Sequence, residues 1–360
     1  MGPHTNEKRC RMNAPALLRQ ARFAARRVGY WMRVERYRFG QGPFIYRFGS
    51  AAFDRENSAV FEGIKEHHRR TRASHEVFEV RRRIHMLEKG FTMTPRRTTY
   101  ATDYIGELVD RVAHATAENF LDLQTVAWAR DVLDGYFEAT SLTDSASIIA
   151  ARARYSEFKL ESDHGYSGPL AIGMISPQAT YESFESLAHS RRSVRWYEPR
   201  RVERDVIDRA LHVAVEAPSA CNRVPYRFEV FDDPEDARRV AALAGGTAGY
   251  LHNLQHVAVV VGDLSAFQAE RDRHLIYIDG SLAAMSFIFG LETQGVGSCC
   301  INWPDYAESE HKMRALIGLE RYERVVMLVA FGYAQEGSLA PQSPKRALSS
   351  VRHYRAFDRD

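Results

Sequence analysis

The 360-residue chain has four cysteines, Cys10, Cys221, Cys299 and Cys300, and no CxxC pair among them. This excludes a disulfide framework or a zinc ribbon and points to a reducing compartment, the cytoplasm. Cys299 and Cys300 are adjacent; neighbours on a strand face opposite ways, so they are not expected to bond to each other. Neither GxGxxG nor GxxxxGK[ST] occurs, so these glycine-loop routes to nucleotide binding are absent. His67, His68, His75 and His85 show no HExxH or Cys/His spacing, so no metal site is read from them. Repeats and low-complexity tracts are missing. The most apolar long segment, Leu275 to Gln294, is interrupted by Asp279 and Glu292, which favours a buried helix over a membrane span.

Hydrophobic residues make up 45% and charged residues 26%, ordinary proportions for a globular protein with a sizeable core. A formal charge of +3 is too small to argue for nucleic acid, and no nucleic-acid partner is expected. The basic residues are unevenly spread, however. Between Lys8 and Arg38 there are ten Lys/Arg residues and one acid, Glu35. Asn13 and Pro15 suit a helix start. Leu17, Ala21, Ala24, Val28, Trp31 and Met32 then share one side, with Arg19, Arg22, Arg26 and Arg33 opposite. Such a helix either packs on its own domain or lies on an anionic surface. Residues 13–38 are therefore a candidate contact with the inner face of the membrane.

The chain length invites division. Four segments are expected: a basic amphipathic segment 1–40, a helical domain 41–160, a linker 161–179 and a mixed domain 180–360. In the second, Ile105, Leu108, Val109 and Val112 follow the i, i+3, i+4, i+7 rule, with Thr102 or Asp103 as cap. Val126, Leu133, Tyr136 and Phe137 form another helical face, and Ile148, Tyr155 and Phe158 a third. Gly165, Gly168, Pro169, Gly173 and Pro177 mark the linker. After Thr180 helices are expected at about 180–190, 202–216, 234–243, 275–294 and 306–317. Strands are expected at Arg227–Phe231, His256–Gly262, near Gly297–Ile301 and at Val325–Gly332. Continuous apolar runs such as HVAVVVG suit a sheet covered on both faces. Helix 275–294 is apolar around most of its circumference, so it must be buried against a sheet, a second subunit or both.

Four stretches carry the chemistry. Arg191, Arg192, Ser193 and Arg195 follow a helical pattern, and in extended backbone Arg191, Ser193 and Arg195 share a face. Guanidinium groups pair with phosphate oxygens and stay charged at any working pH. Ala217-Pro-Ser-Ala-Cys-Asn222 breaks the next helix and offers an amide that both donates and accepts. Gly295-Val-Gly-Ser-Cys-Cys-Ile-Asn302 opens a strand with glycines that let the main chain approach closely. Ser343-Pro-Lys-Arg-Ala-Leu348 supplies a basic pair near the C-terminus.

In this order, over about 180 residues, the four stretches resemble the nitroreductase family of FMN-dependent oxidoreductases. The family's pattern runs R-R-S-x-R, A-P-S-x-x-N-x-Q-P-W, a G-[LV]-G strand start and K/R-R-x-L. His85-Met-Leu-Glu-Lys-Gly90 is similar to an H-R-L-E-K-G stretch of longer relatives. The resemblance implies an α+β sheet-and-helix FMN-binding fold, preceded here by a mainly helical N-terminal domain. It also implies a homodimer in which exchanged segments build two flavin sites. It puts Arg191, Arg192, Ser193 and Arg195 on the phosphate and ribityl end, and Pro218, Ser219 and Asn222 against the ring. Main-chain donors at Ile301 and Asn302 would meet N5 and O4, and Lys345 and Arg346 would return to the phosphate. The chain departs from the pattern at Val224 and Tyr226, where Gln and Trp are frequent, which bears on ring-edge contacts and acceptor preference.

The activity implied is electron transfer from NADH or NADPH, through the flavin, to a nitro, quinone-like or other electron-poor small molecule. No side chain is required as acid or base, so none is assigned a catalytic role. Two alternatives stand beside it. One is flavin-dependent oxidation of a biosynthetic intermediate without free NAD(P)H; the other is a non-catalytic flavin-fold scaffold.

Overall fold

The computed structural model describes residues 53–73, 76–158, 160–171 and 176–357. The basic segment 13–38 and His75 lie outside the described residues. Residues 58–360 form one compact unit. In chain order the α-helices are α1 Asp54–Arg72, α2 Val77–Phe91, α3 Ile105–Ala117, α4 Leu123–Ala139 and α5 Ala146–Ser156. They continue as α6 Tyr181–Ser190, α7 Arg204–Val215, α8 Pro234–Ala241, α9 Leu275–Glu292 and α10 Ala307–Ile317. The strands are β1 Tyr226–Phe231, β2 His256–Asp263, β3 Gly297–Ile301 and β4 Glu323–Gly332. The fold is α+β.

All four strands pair antiparallel in the order β1-β2-β4-β3. β2 is buried at seven of its eight positions, as its unbroken apolar run requires. Val257, Val259 and Val261 pack with Ala237 and Val240 of α8 and Met313 of α10 on one face. Ala258, Val329 and Phe331 meet Ala210 of α7 and Phe287 and Leu291 of α9 on the other. The sheet is thus sandwiched between two helical layers. α7 and α9 cross closely, because a Cβ at Gly290 would stand 2.8 Å from the Ala210 Cα.

Helix α9 buries one face on the sheet and leaves another exposed. Asp279, Ala283, Phe287 and Leu291 are buried, while Ile278, Leu282 and Met285, spaced i, i+4, i+7, are exposed. By length and composition this helix, taken with the turn before it, could cross a membrane, but half of that apolar window is buried inside the protein. Phe289 joins the exposed stripe to Phe184 of α6, their rings 5.5 Å apart.

The helices before the sheet have their own core of Ile84, Leu87, Leu108, Val112, Leu133 and Tyr136. Tyr155 and Phe158 pack on its edge. The expected side-chain cap at Thr102 or Asp103 is not formed: the cap residue of α3 is Tyr104, with no side-chain capping bond. Instead Tyr104 N and Ile105 N both donate to Ala101 O, at 3.1 and 2.9 Å. Ala59 and Val60 of α1 pack on Leu264 and Phe267, in the turn after β2. His67 Nδ1 lies 2.9 Å from Ser265 O, and Arg70 donates to Ser265 Oγ at 3.1 Å and to the Tyr322 hydroxyl at 2.9 Å. After α5 the chain runs back along α4, where Arg130 donates to Ser162 O at 2.9 Å and Ser167 N to Asp131 Oδ2 at 2.6 Å.

Glu76, which caps α2, is 1% exposed. Phe78 N donates to its Oε1 at 3.0 Å, and its Oε2 has no partner. Burial pushes this carboxyl up to about 8, against the opposing pull of Arg70. The folded state therefore binds a proton that the unfolded chain releases near pH 4.5. The stability this contributes is complete below that pH and is lost as pH rises through about 8. Urea unfolding should show wild-type stability falling between pH 5 and pH 8 by roughly 1 kcal/mol or more. Glu76→Gln should flatten that slope; an equally steep fall in the variant would assign it to another group.

Candidate functional site

The Arg191–Tyr197 segment leaves α6 in extended form and docks on the edge of the sheet. Ser193 bridges Ser298 of β3 in parallel, with Val194 N donating to Ser298 O at 3.0 Å. Tyr197 bridges Ala334, and its buried hydroxyl donates to Val194 O at 2.7 Å. Glu198 N and Gln335 N then tie the segment to the strip following β4, at 2.9 Å to Tyr333 O and 3.0 Å to Trp196 O. Gly297 makes this docking possible: a Cβ there would come within 2.8 Å of Val194 Cγ2. Glycine thus serves the close approach expected at the strand start.

Arg191, Arg192, Ser193 and Arg195 are all half-buried, along one edge of the molecule. Among the described residues, none of the three arginines is ion-paired. Arg192 reaches the carbonyls of His189 and Arg191. Arg195 donates weakly to Ser193 O at 3.4 Å and lies 5.8 Å from the Tyr250 ring centroid. Asn253 Nδ2 fixes the Arg195 carbonyl at 2.9 Å. Burial holds the Tyr250 phenol above its ordinary range, so near neutrality it is a neutral hydroxyl beside a cation.

β3 is an edge strand, and beyond Ser298 its outer side carries no further strand partner among the described residues. Ile301 is buried and Asn302 exposed at its end. Edge backbone of this kind can donate to a ligand. Cys299 is buried and Cys300 exposed, on opposite faces and both free, as their adjacency required. Structure thus brings Arg191, Arg192, Ser193 and Arg195 together with the strand that ends in Ile301 and Asn302.

Pro218, Ser219 and Asn222 lie elsewhere. They belong to a 3-10 turn that feeds β1, at the opposite edge of the sheet. Three inter-strand spacings, about 14 Å, separate β1 from β3. The turn is tightly wound: Cys221, Asn222 and Val224 have φ of 55°, 51° and 55°. Val224 N donates to Ser219 Oγ at 3.0 Å, and Ala220 N donates to Asp279 Oδ2 of α9 at 2.9 Å. Burial raises the Asp279 carboxyl, while the Ala220 N–H and the Arg223 charge pull it down. Arg223 is itself buried, stacked 5.2 Å from the Phe267 centroid, and its Nε has no partner.

One contact that the sequence motifs did not signal joins this turn to the helical layer. Arg81 Nε donates to Asn222 O at 2.9 Å, across 141 positions of chain. No sequence motif flags such a pair. A cavity of about 590 Å³ opens beside this contact, lined among others by Phe78, Arg81, Trp128, Glu216, Asn222 and Val224. His85, Glu88, Lys89 and Gly90 lie further along α2, where His85 Nδ1 is 3.6 Å from Glu88. The last predicted pair, Lys345 and Arg346, stands on an exposed tail, where Arg346 donates to Ser350 O at 3.3 Å. Among the described residues no group of three or more His, Cys, Asp or Glu could hold a metal ion.

Comparison with known proteins bears on the same half of the chain. The nitroreductase family model matches residues 188–248 and 243–333. A putative NAD(P)H nitroreductase of Bacillus subtilis is 25% identical over 194 residues, which cover 44% of this chain and 91% of that protein. An NADH dehydrogenase of Thermus thermophilus is 28% identical over 185 residues, 42% of this chain and 88% of the other. An iodotyrosine deiodinase of Pongo abelii is 21% identical over 196 residues, 47% of this chain and 67% of the other. Among solved structures, an FMN-dependent nitroreductase from Clostridium difficile is 22% identical, covers 48% of this chain and 98% of its own, and has a TM-score of 0.41.

Replacing Gly297 with alanine tests the docking. The added Cβ should push Val194 and its segment away from β3 and cost about 1–3 kcal/mol, as overpacking generally does. Chemical denaturation measures this; a loss below about 0.5 kcal/mol would mean that the segment yields without strain.

Proposed function

From residues 188–333, which belong to the nitroreductase family, we propose that this protein is an FMN-dependent oxidoreductase. It takes electrons from NADH or NADPH and passes them to a nitro, quinone-like or other electron-poor small molecule. The observation that carries the reading is the arginine cluster beside β3. Three guanidinium groups and a serine hydroxyl stand half-buried with no carboxylate among the described residues to neutralise them. Such a cluster suits a phosphate dianion. FMN, when bound, would supply the hydride and electron chemistry that no side chain offers.

The residues fit this ligand in distinct roles. Arg191, Arg192, Ser193 and Arg195 hold the anionic end. The backbone at Ile301 and Asn302 gives donors from an edge strand. Pro218, Ser219 and Asn222 meet the ring. Since the β1 and β3 edges face outward in opposite directions, the ring contacts and the phosphate contacts are best supplied by two copies of the chain. The exposed Ile278, Leu282 and Met285 stripe of α9 is an apolar surface of the kind a second copy covers. The tail after Tyr333 carries exposed Leu339, Tyr354 and Phe357, together with Lys345 and Arg346. It is well placed to wrap a partner and bring that basic pair to the partner's phosphate end.

Purified full-length protein should carry, or take up on mixing, one FMN per chain, and its visible absorption should bleach anaerobically with NADH or NADPH. Protein that quenches no FMN fluorescence would sink the reading. A flavin left oxidised by both nicotinamides would redirect it to oxidation of another donor. Arg195→Ala should weaken FMN binding by about 1.5–3 kcal/mol, the worth of a charge-assisted contact. Fluorescence titration measures it, and unchanged affinity would remove Arg195 from the phosphate end. Leu282→Glu should convert the dimer to monomer in light scattering and lower FMN occupancy with it. Monomers that keep full occupancy would show that one chain completes the site.

A further inference from the structure

Left-handed backbone clusters at one turn among the described residues. Six non-glycine residues have positive φ among the described residues, and three of them, Cys221, Asn222 and Val224, fall within four positions. A β-branched valine in the left-handed region is an outlier that persists only where its surroundings over-determine it. The turn's own bonds are local: Asn222 N to Ser219 O at 3.0 Å and Val224 N to Ser219 Oγ at 3.0 Å. Two clamps come from far along the chain. Asp279 Oδ2 accepts from Ala220 N, and Arg81 Nε donates to Asn222 O.

Two further contacts hold Arg81. Its Nη1 donates to Thr125 Oγ1, and its guanidinium stacks 5.2 Å from the Trp128 ring centroid. The Thr125 hydroxyl in turn donates to Asp122 Oδ2 at 2.8 Å, and Thr125 N to Asp122 Oδ1 at 2.8 Å. A continuous chain therefore runs from the cap of α4 through Thr125 and Arg81 to the Asn222 carbonyl. All of it except Asn222 belongs to the helical layer, outside the segment matched by the family model.

We infer that Arg81 is a positioning residue: it holds the left-handed turn so that Ser219 and Asn222 keep a fixed attitude toward the flavin. The helical layer thereby sets flavin affinity and midpoint potential without touching the cofactor. This rests on the flavin reading above. The guanidinium is suited to the task because its separate N–H groups can serve Asn222 and Thr125 at once, which a single ammonium on a flexible stem does with poorer geometry.

The test uses the full chain with FMN as probe. Arg81→Met keeps much of the stem and removes every donor. It should raise the FMN dissociation constant by roughly tenfold, because the ligand must then order the turn that the clamp had held ready. It should also shift the visible band and midpoint potential of the flavin that remains, while apoprotein melting moves little. Adding Val224→Gly to Arg81→Met should recover most of the affinity, because glycine adopts positive φ without a clamp. Unchanged affinity and spectrum in Arg81→Met would overturn the inference while leaving the flavin reading intact. A loss matched by lower apoprotein melting, and not recovered by Val224→Gly, would overturn it in favour of plain structural support. If Arg81→Met does not fold, Arg81→Lys replaces it; the same rise in dissociation constant is expected, and wild-type affinity would overturn the inference. Wild-type protein that takes up no FMN would sink the flavin reading and this inference with it.

Discussion

Antiparallel pairing in the order β1-β2-β4-β3 imposes the distance on which the rest of the site depends. Each inter-strand step is fixed at about 4.8 Å by the backbone hydrogen bonds. A turn feeding β1 and a segment docked on β3 cannot be drawn together without breaking the sheet. The two predicted halves of the flavin site are thus close in sequence, at 191–195 and 218–222, yet held at opposite edges. The long helix α9 buries one face on the sheet and leaves Ile278, Leu282 and Met285 open. The last described residues run exposed, with large apolar side chains and a basic pair. A sheet that divides the site makes a second copy of the chain a natural way to reunite it.

The arginines sort themselves by their partners. Arg201 and Arg204 share Asp232, Arg209 meets Asp205, and Arg227 is gripped by Glu229 and Glu323. In the helical layer Arg83 joins Glu79 to Glu107. The arginines at 191–195, like Arg81 and the buried Arg223, have no carboxylate partner among the described residues. Arg192 reaches the carbonyls of His189 and Arg191, and Arg195 meets the Ser193 carbonyl and Tyr250. Half-buried positive charge without a counter-ion is costly to maintain. The docking of the segment by Ser193, Tyr197 and Gly297 holds that charge in place, and an anionic ligand would relieve the cost.

Most of the sheet domain was legible in the sequence because its signals are local. An apolar run such as His256–Gly262 suits a covered strand, and the observed β2 extends it by one residue. The helices expected at about 234–243 and 306–317 are observed at Pro234–Ala241 and Ala307–Ile317, differing at the ends, where fraying and tight turns decide. The flavin motifs were found by order and residue type. What stayed hidden depends on partners far along the chain. Nothing near Arg81 indicates that its Nε meets the Asn222 carbonyl, and nothing near Glu76 indicates burial without a cation on both oxygens. The three left-handed residues were equally invisible, since Cys and Val do not advertise positive φ as Gly does. Thr102 and Asp103 had the right chemistry for a cap, but the Ala101 carbonyl took both donors first.

The helical layer lies before the family-matched segment, and its position argues that it is more than an appendage. Its own core would let it fold around Leu108, Leu133 and Tyr136. Even so, α1 and α2 pack on the turn after β2 and reach the turn before β1. Both turns flank the same two strands, at the end of the sheet where Asp279 holds Ala220. A layer that served only to shield apolar surface would have no need for a half-buried guanidinium aligned by Thr125, Trp128 and Asp122. Ordering such a side chain costs more conformational entropy than placing a leucine there. The arrangement makes physical sense where a defined backbone attitude, rather than simple burial, is what the contact provides. The cavity beside it, bounded by both the helical layer and the turn, extends that logic. Residues outside the family-matched segment then shape the space next to that turn.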